Sequence, residues 1–214
     1  MKRMFFLAAV LILSASCVQK PKVVQEKARV VQEKETGEPD SVRIRKMNEE
    51  LRSYMESMNN ARMKFEKKDF NGAIAEYTKI IEESSFSSSS RRVIIYEGSY
   101  PFNIYIARGL AKDSLQDYKG AIDDYTMAID KSTGRDAEPY IKRGLSKISL
   151  KDYEGAIADF TKCMEFAPNN MWLYYYRGLA KIESGQKDNG CQDLKKAADF
   201  NSPNAKEAIK KYCN

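Results

Sequence analysis

Residues 108–112 read RGLAK, and residues 117–126, which follow closely, read DYKGAIDDYT. Both stretches return 35 residues later, as RGLSK at 143–147 and DYEGAIADFT at 152–161. Each stretch carries apolar residues at the spacing of an amphipathic helix. Two such segments in a unit that repeats with a period near 34 residues predict a stack of helical hairpins.

Each unit carries its own local signals. Asp117 and Asp152 come directly before the second segment, where a short acceptor side chain can satisfy the free backbone donors of a helix start. Glycine interrupts the first segment of three units, at Gly109, Gly144 and Gly178. Each glycine costs about 1 kcal/mol relative to alanine, so the recurrence predicts a helix contact too close for a side chain. Ala121 and Ala156 are predicted to supply the opposite surface.

These repeats resemble the tetratricopeptide repeat family. Residues 54, 102, 137 and 171 count as first positions of four units, and RGLAK at 177–181 and DFNGAIAEYT at 69–78 belong to the outer two. The family's twenty-fourth position then holds the large residues Tyr77, Tyr125, Phe160 and Leu194. Pro168 fills the thirty-second position, where the family breaks the chain between units. The resemblance implies an all-α solenoid with repeats near 54–87, 102–136, 137–170 and 171–202, followed by a capping helix at 203–213.

Two segments frame this domain, which we place at residues 41–214. Residues 17–40 are rich in charged residues and include Pro21, Gly37 and Pro39, so they predict a flexible tether. A short coiled coil is the alternative, because VVQEK occurs at 23–27 and again at 30–34. From residue 41 an apolar stripe begins, which predicts that the first helix starts upstream of the repeat and runs to about Lys67. Residues 88–101 form an insertion that either binds a partner or packs on neighbouring helices.

The N-terminus carries an export signal. The basic residues Lys2 and Arg3 follow the initiator methionine. Residues 5–13 are apolar, and three small residues precede Cys17. The apolar run is too short to span a bilayer. The pattern resembles a bacterial lipoprotein signal at residues 1–16, with Cys17 as the lipidated residue, although Ser14 stands where the strict pattern has a larger aliphatic residue. The alternative is ordinary secretion. Both place the protein in the cell envelope, and lipidation would anchor it to a membrane facing the periplasm or cell surface.

The remaining cysteines fit an exported protein. Cys163 occupies a small, buried repeat position, where cysteine acts as a compact apolar residue. The segment from Cys191 to Cys213 resembles the ending of exported tetratricopeptide proteins of the Bacteroidetes type. That resemblance implies a Cys191–Cys213 disulfide, with two free thiols as the alternative.

Catalytic and nucleic-acid-binding functions find little support in the composition. The chain contains no histidine, which removes His-activated nucleophiles and His-ligated metal sites, and it has no glycine-rich phosphate loop. We therefore expect no catalytic residues, no metal and no cofactor. The formal charge of +6 is spread along the chain rather than gathered into a basic face, so we expect no nucleic-acid partner. The recurrent arginines at 108, 143 and 177 are predicted to pair with aspartates at 124, 159 and 193 rather than to bind anions.

The resemblance assigns recognition to the first helices, which line the concave surface in this family. We call the residues carried over from the family the first-helix groove: Met55, Met58, Arg62, Asn103, Ile106, Leu110, Ile141, Leu145, Trp172, Tyr175, Leu179 and Ile182. The set is mostly apolar, which favours an apolar or amphipathic protein segment as ligand. The alternative is that the chain fills its own groove, through the tether or the long first helix.

The sequence therefore predicts a scaffold or adaptor lipoprotein that gathers other envelope proteins or peptides. Two alternatives remain: an accessory subunit of a transport system that holds a small apolar ligand, and an assembly factor for outer-membrane or cell-wall proteins. The oligomeric state and the identity of the partner stay open.

Overall fold

The described part of the chain in our computed structural model, residues 40–87, 102–132 and 136–213, folds into nine helices. In chain order they are α1 Asp40–Glu66, α2 Phe70–Ser87, α3 Phe102–Ser114, α4 Tyr118–Lys131, α5 Ala137–Ser149, α6 Tyr153–Met164, α7 Met171–Glu183, α8 Lys187–Asp199 and α9 Pro203–Tyr212. The all-α prediction is confirmed for this part of the chain. The predicted lipoprotein signal with Cys17, the tether up to residue 39 and the insertion at 88–101 lie outside the described residues.

The helices form four consecutive hairpins and a final single helix. Each helix packs against the next one in the chain, and the first helices α3, α5, α7 and α9 also contact one another in that order. The first helix begins upstream of the repeat, as predicted, because α1 runs over 27 residues whereas α3, α5 and α7 each have 13. None of the described helices is both long enough and apolar enough to cross a membrane.

Short carboxylates start the second helices. The Oδ1 atoms of Asp69, Asp117 and Asp152 accept hydrogen bonds from the backbone N–H three residues later, at 2.9, 3.0 and 3.0 Å. This is the capping role predicted for Asp117 and Asp152, and it fixes where α2, α4 and α6 begin, whereas α8 follows Gln186 without a side-chain cap.

The glycines of the first helices mark close helix contacts, as predicted. A Cβ atom on Gly109 would lie 2.7 Å from the ring of Tyr125, and one on Gly144 would lie 2.9 Å from the ring of Phe160. The ring of the large residue therefore lies nearest to each of these two glycines. Ala121 and Ala156 are both fully buried nearby.

Helix α9 ends the stack in the place of a further first helix. Its buried residues Ala205 and Ala208 face α8 and α7, and Ser202 caps it by accepting a hydrogen bond from the N–H of Ala205 at 3.4 Å. Its opposite side is exposed and carries Lys206, Glu207 and further lysines. A polar outer face of this kind ends a solenoid without leaving an apolar surface in water.

Candidate functional site

The first helices line the inner curve of the stack. Within the described residues, α3 contacts α5, α5 contacts α7 and α7 contacts α9, whereas the second helices approach one another less closely. When the helices on one side of a stack lie closer together than those on the other side, the stack curves toward the closer side. The first-helix groove therefore lies on the concave surface.

The structure keeps most of the first-helix groove accessible. Met55, Arg62 and Asn103 are exposed, and six further members are half-buried: Met58, Leu110, Ile141, Trp172, Tyr175 and Ile182. Met55 has 48% of its surface exposed, which is high for an apolar residue on a repeat helix. The apolar members of this set are therefore accessible to a ligand in the folded protein.

Three predicted members of the groove belong to the core instead. Ile106 is 5% exposed and packs with residues of α4, and Leu145 is 9% exposed and packs around Phe160. Leu179 is 7% exposed and packs with Leu194 of α8. The physical reason is that their neighbours in the adjacent helices close over them, so they support the groove without lining it.

Helix α9 covers the C-terminal end of the groove. Tyr175 and Ile182 from α7 pack with Ile209 and Tyr212 from α9 around a shared buried cluster. Burial raises the pKa of Tyr175, and the nearby Tyr212 and the Glu207 carboxylate raise it further. At this end the chain's own helix α9 therefore covers part of the groove surface.

An aromatic cluster stands next to the covered end. The Trp172 ring lies edge-on to Tyr175 and stacks on Tyr176, with centroids 6.4 Å apart in both pairs, and Tyr176 stacks on Phe160 at 6.1 Å. Trp172 and Tyr175 are half-buried, whereas Tyr176 is 7% exposed. The cluster is therefore a rigid edge of the groove, anchored in the core of the third and fourth hairpins.

The predicted arginine–aspartate pairs are confirmed. The Nη2 atoms of Arg108 and Arg143 lie 2.6 and 2.7 Å from the carboxylates of Asp124 and Asp159. A lysine four residues after each arginine contacts the same carboxylate at 2.8 to 2.9 Å. The third pair, Arg177 with Asp193, has the same arrangement.

Each arginine also ties its hairpin to the preceding one. The Nη1 atoms of Arg108, Arg143 and Arg177 donate to Thr78, Thr126 and Thr161, at 3.0, 3.0 and 3.1 Å. Burial alone would raise the pKa of Asp193, but hydrogen bonds from Arg177 and Lys181 outweigh it and leave that pKa lowered. All three arginines are engaged in structural contacts, which argues against an anion site.

One polar cluster escaped the sequence analysis. Asp113, at a repeat position that faces the groove, accepts hydrogen bonds from Tyr125 Oη and Ser146 Oγ, both at 2.7 Å. Burial raises the pKa of Asp113, although both hydrogen bonds oppose the rise. The signal was present in the sequence, since RGLSK has serine where the other two copies have alanine.

The three cysteines among the described residues have structural roles. Cys191 and Cys213 form a disulfide that joins α8 to the end of α9. Cys163 is fully buried, and burial raises the pKa of its thiol to about 12. A thiol that stays protonated at neutral pH is a poor nucleophile. Within the described residues, no group of three or more potential ligand side chains is placed to hold a metal ion.

Known proteins share this architecture. Residues 137–170, the third hairpin, match the family model of the tetratricopeptide repeat. A tetratricopeptide repeat protein from Parabacteroides merdae superposes with a TM-score of 0.62 at 18% identity, over 72% of this chain and 56% of that one. MamA from Desulfovibrio magneticus RS-1 superposes with a TM-score of 0.57 at 16% identity, over 69% and 75% of the two chains.

A third solved structure contains a ligand. The first tetratricopeptide domain of Spaghetti (RPAP3), bound to the HSP90 peptide SRMEEVD, superposes with a TM-score of 0.50 at 18% identity, over 52% of this chain and 90% of that one. No curated protein matches the chain in sequence. The matched repeat at 137–170 and the shared architecture identify the fold as a tetratricopeptide-type solenoid of helical hairpins.

Proposed function

We propose that the chain is a non-catalytic scaffold whose first-helix groove binds an apolar or amphipathic segment of another protein. The observation that carries the proposal is the row of accessible apolar side chains on the concave surface, which includes Met55, Met58, Leu110 and Ile141. Exposed apolar residues outside the groove, such as Met63, Met127 and Phe166, are spread over the described helices and their ends and do not form a row along the first helices. A concave surface that keeps such residues in water is typical of a binding site.

The composition of the groove favours an apolar ligand over an acidic one. Arg62 is the one charged member of the first-helix groove, and it lies 3.9 Å from the carboxylate of Glu66. The Spaghetti domain of similar fold holds a peptide with two consecutive glutamates, SRMEEVD. A groove lined mainly by apolar side chains offers few cations to such a sequence, so we expect this chain to select a different class of segment.

We further propose that the scaffold belongs to the bacterial cell envelope and is anchored to a membrane by lipid on Cys17. The support is the sequence of residues 1–17, with its basic start, short apolar run and small residues before the cysteine. Metabolic labelling with a clickable fatty acid should label the chain, and Cys17→Ser should remove the label. Labelling that survives Cys17→Ser would contradict the anchor and leave the groove proposal intact.

Two methionines on α1 offer a direct test of the groove. Met55 lies in the first-helix groove and is 48% exposed, whereas Met63 is 47% exposed and lies outside it. Met63 holds the repeat position of Ala111, Ser146 and Ala180, which contact the preceding hairpin in later units. A photoreactive amino acid at either position is therefore equally accessible. We expect specific crosslinks to a protein partner in intact cells from position 55 and few from position 63. Equal crosslinking from both positions would contradict groove binding.

A pair of aromatic variants completes the test. Trp172→Ala with Tyr175→Ala removes the rigid edge of the groove, and Phe166→Ala with Phe200→Ala removes two aromatics that are each 38% exposed outside it. With folding verified by circular dichroism, we expect the crosslinks from position 55 to fall in the first variant and persist in the second. Loss in both variants would indicate a general surface effect.

A further inference from the structure

The junction between the second and third hairpins differs in chemistry from the junctions on either side. Three repeat positions meet at each junction: the twelfth and twenty-fourth of one hairpin and the tenth of the next. At the second junction they are Asp113, Tyr125 and Ser146. The first junction has Phe65, Tyr77 and Ala111, and the third has Ile148, Phe160 and Ala180. Only the second junction thus places a carboxylate and a hydroxyl at positions that are apolar in its neighbours.

The buried apolar clusters follow the same division. One cluster joins the first and second hairpins through Tyr77, Ile80 and Ile104, and another joins the third and fourth through Phe160 and Leu173. Within the described residues, none of the four clusters combines side chains from 40–132 with side chains from 136–213, although Ile129 of α4 and Pro139 of α5 are also buried. The helices α4 and α5 nevertheless pack as closely as α6 and α7. The second junction therefore differs from the third in the chemistry of its side chains and not in how closely its helices pack.

Polar contacts hold the second junction together. Ser146 Oγ donates to Asp113 across the junction at 2.7 Å, and Arg143 Nη1 donates to Thr126 at 3.0 Å. Tyr125 Oη donates to the same Asp113 carboxylate from within the second hairpin, also at 2.7 Å. The charged groups that face Asp113 are Asp117 on the same hairpin and Lys142 on α5. Water can replace hydrogen bonds of this kind when the helices separate, whereas it cannot replace apolar contacts.

We infer that the solenoid divides at the α4–α5 junction into two units, residues 40–132 and 136–213, that unfold separately. In a linear array, stability is a sum of terms within hairpins and between neighbours, so we expect cooperativity to fail at the interface where polar side chains replace apolar ones. Leu110 and Ile141 of the first-helix groove stand on opposite sides of this junction. Opening it changes the width of the groove, whatever segment the groove binds.

The chain carries its own reporter for the test. Trp172 is the single tryptophan, and it lies in the C-terminal unit, which also contains the disulfide. In urea, circular dichroism follows helices of both units, while Trp172 fluorescence follows the C-terminal unit. We expect the full chain to show two transitions by circular dichroism, separated by about 1 M urea, with the Trp172 transition matching the later one. Coincident single transitions by both probes would overturn the inference.

Exchanging the residues of two junctions gives matched controls. Asp113→Ile with Tyr125→Phe and Ser146→Ala places the residue types of the third junction at the second, and we expect the two transitions to merge. The reciprocal Ile148→Asp with Phe160→Tyr and Ala180→Ser should move the division into the C-terminal unit, so that Trp172 fluorescence loses its agreement with the later transition. If the first variant does not fold, urea-dependent hydrogen exchange of the unmodified chain still tests whether the two units unfold separately. Equal urea dependence in α1–α4 and α5–α9 would refute two units.

Discussion

The first and fourth hairpins use the same repeat positions to build two different interiors. In the fourth hairpin, Asp193 is 6% exposed and lies 2.8 Å from both Arg177 and Lys181. In the first hairpin, Glu76 takes the place of Asp193, is 28% exposed and has Lys64 at 2.7 Å, while Asn60 stands where the arginine would be. A carboxylate that stays partly in water is satisfied by one cation. A buried carboxylate takes two, because burial removes the water that would otherwise share its charge.

The largest expected difference comes from removing the two carboxylates. Asp193→Ala leaves Arg177 and Lys181 buried without their anion, and we expect it to lower the free energy of unfolding by about 3–5 kcal/mol. Glu76→Ala removes a partly exposed pair and should cost at most about 1 kcal/mol. Urea denaturation of the two variants, followed by circular dichroism and Trp172 fluorescence, measures both. Equal losses of unfolding free energy in the two variants would show that the burial of a carboxylate does not determine how much it stabilises the fold.

The disulfide sharpens the contrast between the two ends of the stack. Cys191 and Cys213 are 22 residues apart in sequence, and closing a loop of that length stabilises by about 3 kcal/mol in the chain-entropy model. Cys191→Ser with Cys213→Ser should therefore destabilise the C-terminal hairpin and α9 by about that amount. A reducing agent should have the same effect on the unmodified chain and none on the double variant. A reductant effect that persists in the double variant would assign the loss to another cause.

Exchanging glycine and alanine at the eighth repeat position tests whether each hairpin is fitted to its own residue. A Cβ on Gly178 would lie 2.9 Å from the backbone oxygen of Gly190, which cannot rotate away, so Gly178→Ala should destabilise by about 1–3 kcal/mol. In the first hairpin Ala61 is fully buried at this position, and Ala61→Gly should cost about 1 kcal/mol in helix propensity. Thermal unfolding would detect both losses. A stabilising effect of either exchange would contradict close fitting.

The sequence predicted the hairpins, the helix caps and the ion pairs better than it predicted which side chains are buried. The hairpins, the capping aspartates and the arginine–aspartate pairs follow from spacing, because helical periodicity and residue type are local properties. The burial of Ile106, Leu145 and Leu179 did not follow, because it depends on which neighbouring helices close over each side chain. The cover that α9 places over Tyr175 was missed for the same reason.

The polar junction was overlooked for a different reason. Asp113 and Ser146 lie 33 residues apart and are informative only as a pair, so neither residue indicates a polar contact by itself. Comparing consecutive copies for a change from apolar to polar at positions that meet in space would have found it.

Two buried carboxylates are expected to respond to pH in opposite directions. The pKa of Asp193 is lowered on folding, so its contribution to stability is present above its ordinary value of 3.8 and is lost as pH falls through the lowered pKa. The pKa of Asp113 is raised, so its contribution is fully present below 3.8 and is lost as pH rises through the raised pKa. The urea midpoints of Asp193→Asn and of the unmodified chain should therefore converge as pH falls below 3.8, whereas those of Asp113→Asn and of the unmodified chain should diverge as pH rises above 3.8. Parallel pH profiles for the two variants would exclude this difference.

The smallest expected effect lies in the turns of the two hairpins. Lys68 in the first hairpin adopts a φ of 63°, whereas the fourth hairpin has Gly185 with a φ of 90°. A Cβ at Gly185 would meet no atom within 4 Å, so Gly185→Ala isolates the cost of a left-handed backbone and should destabilise by about 1 kcal/mol. Lys68→Gly relieves the same strain but increases the freedom of the unfolded chain, and the two effects should nearly cancel. Differential scanning calorimetry of both variants would separate them. A neutral Gly185→Ala would mean that this turn readjusts its backbone, and that the hairpins differ less in their turns than in their interiors.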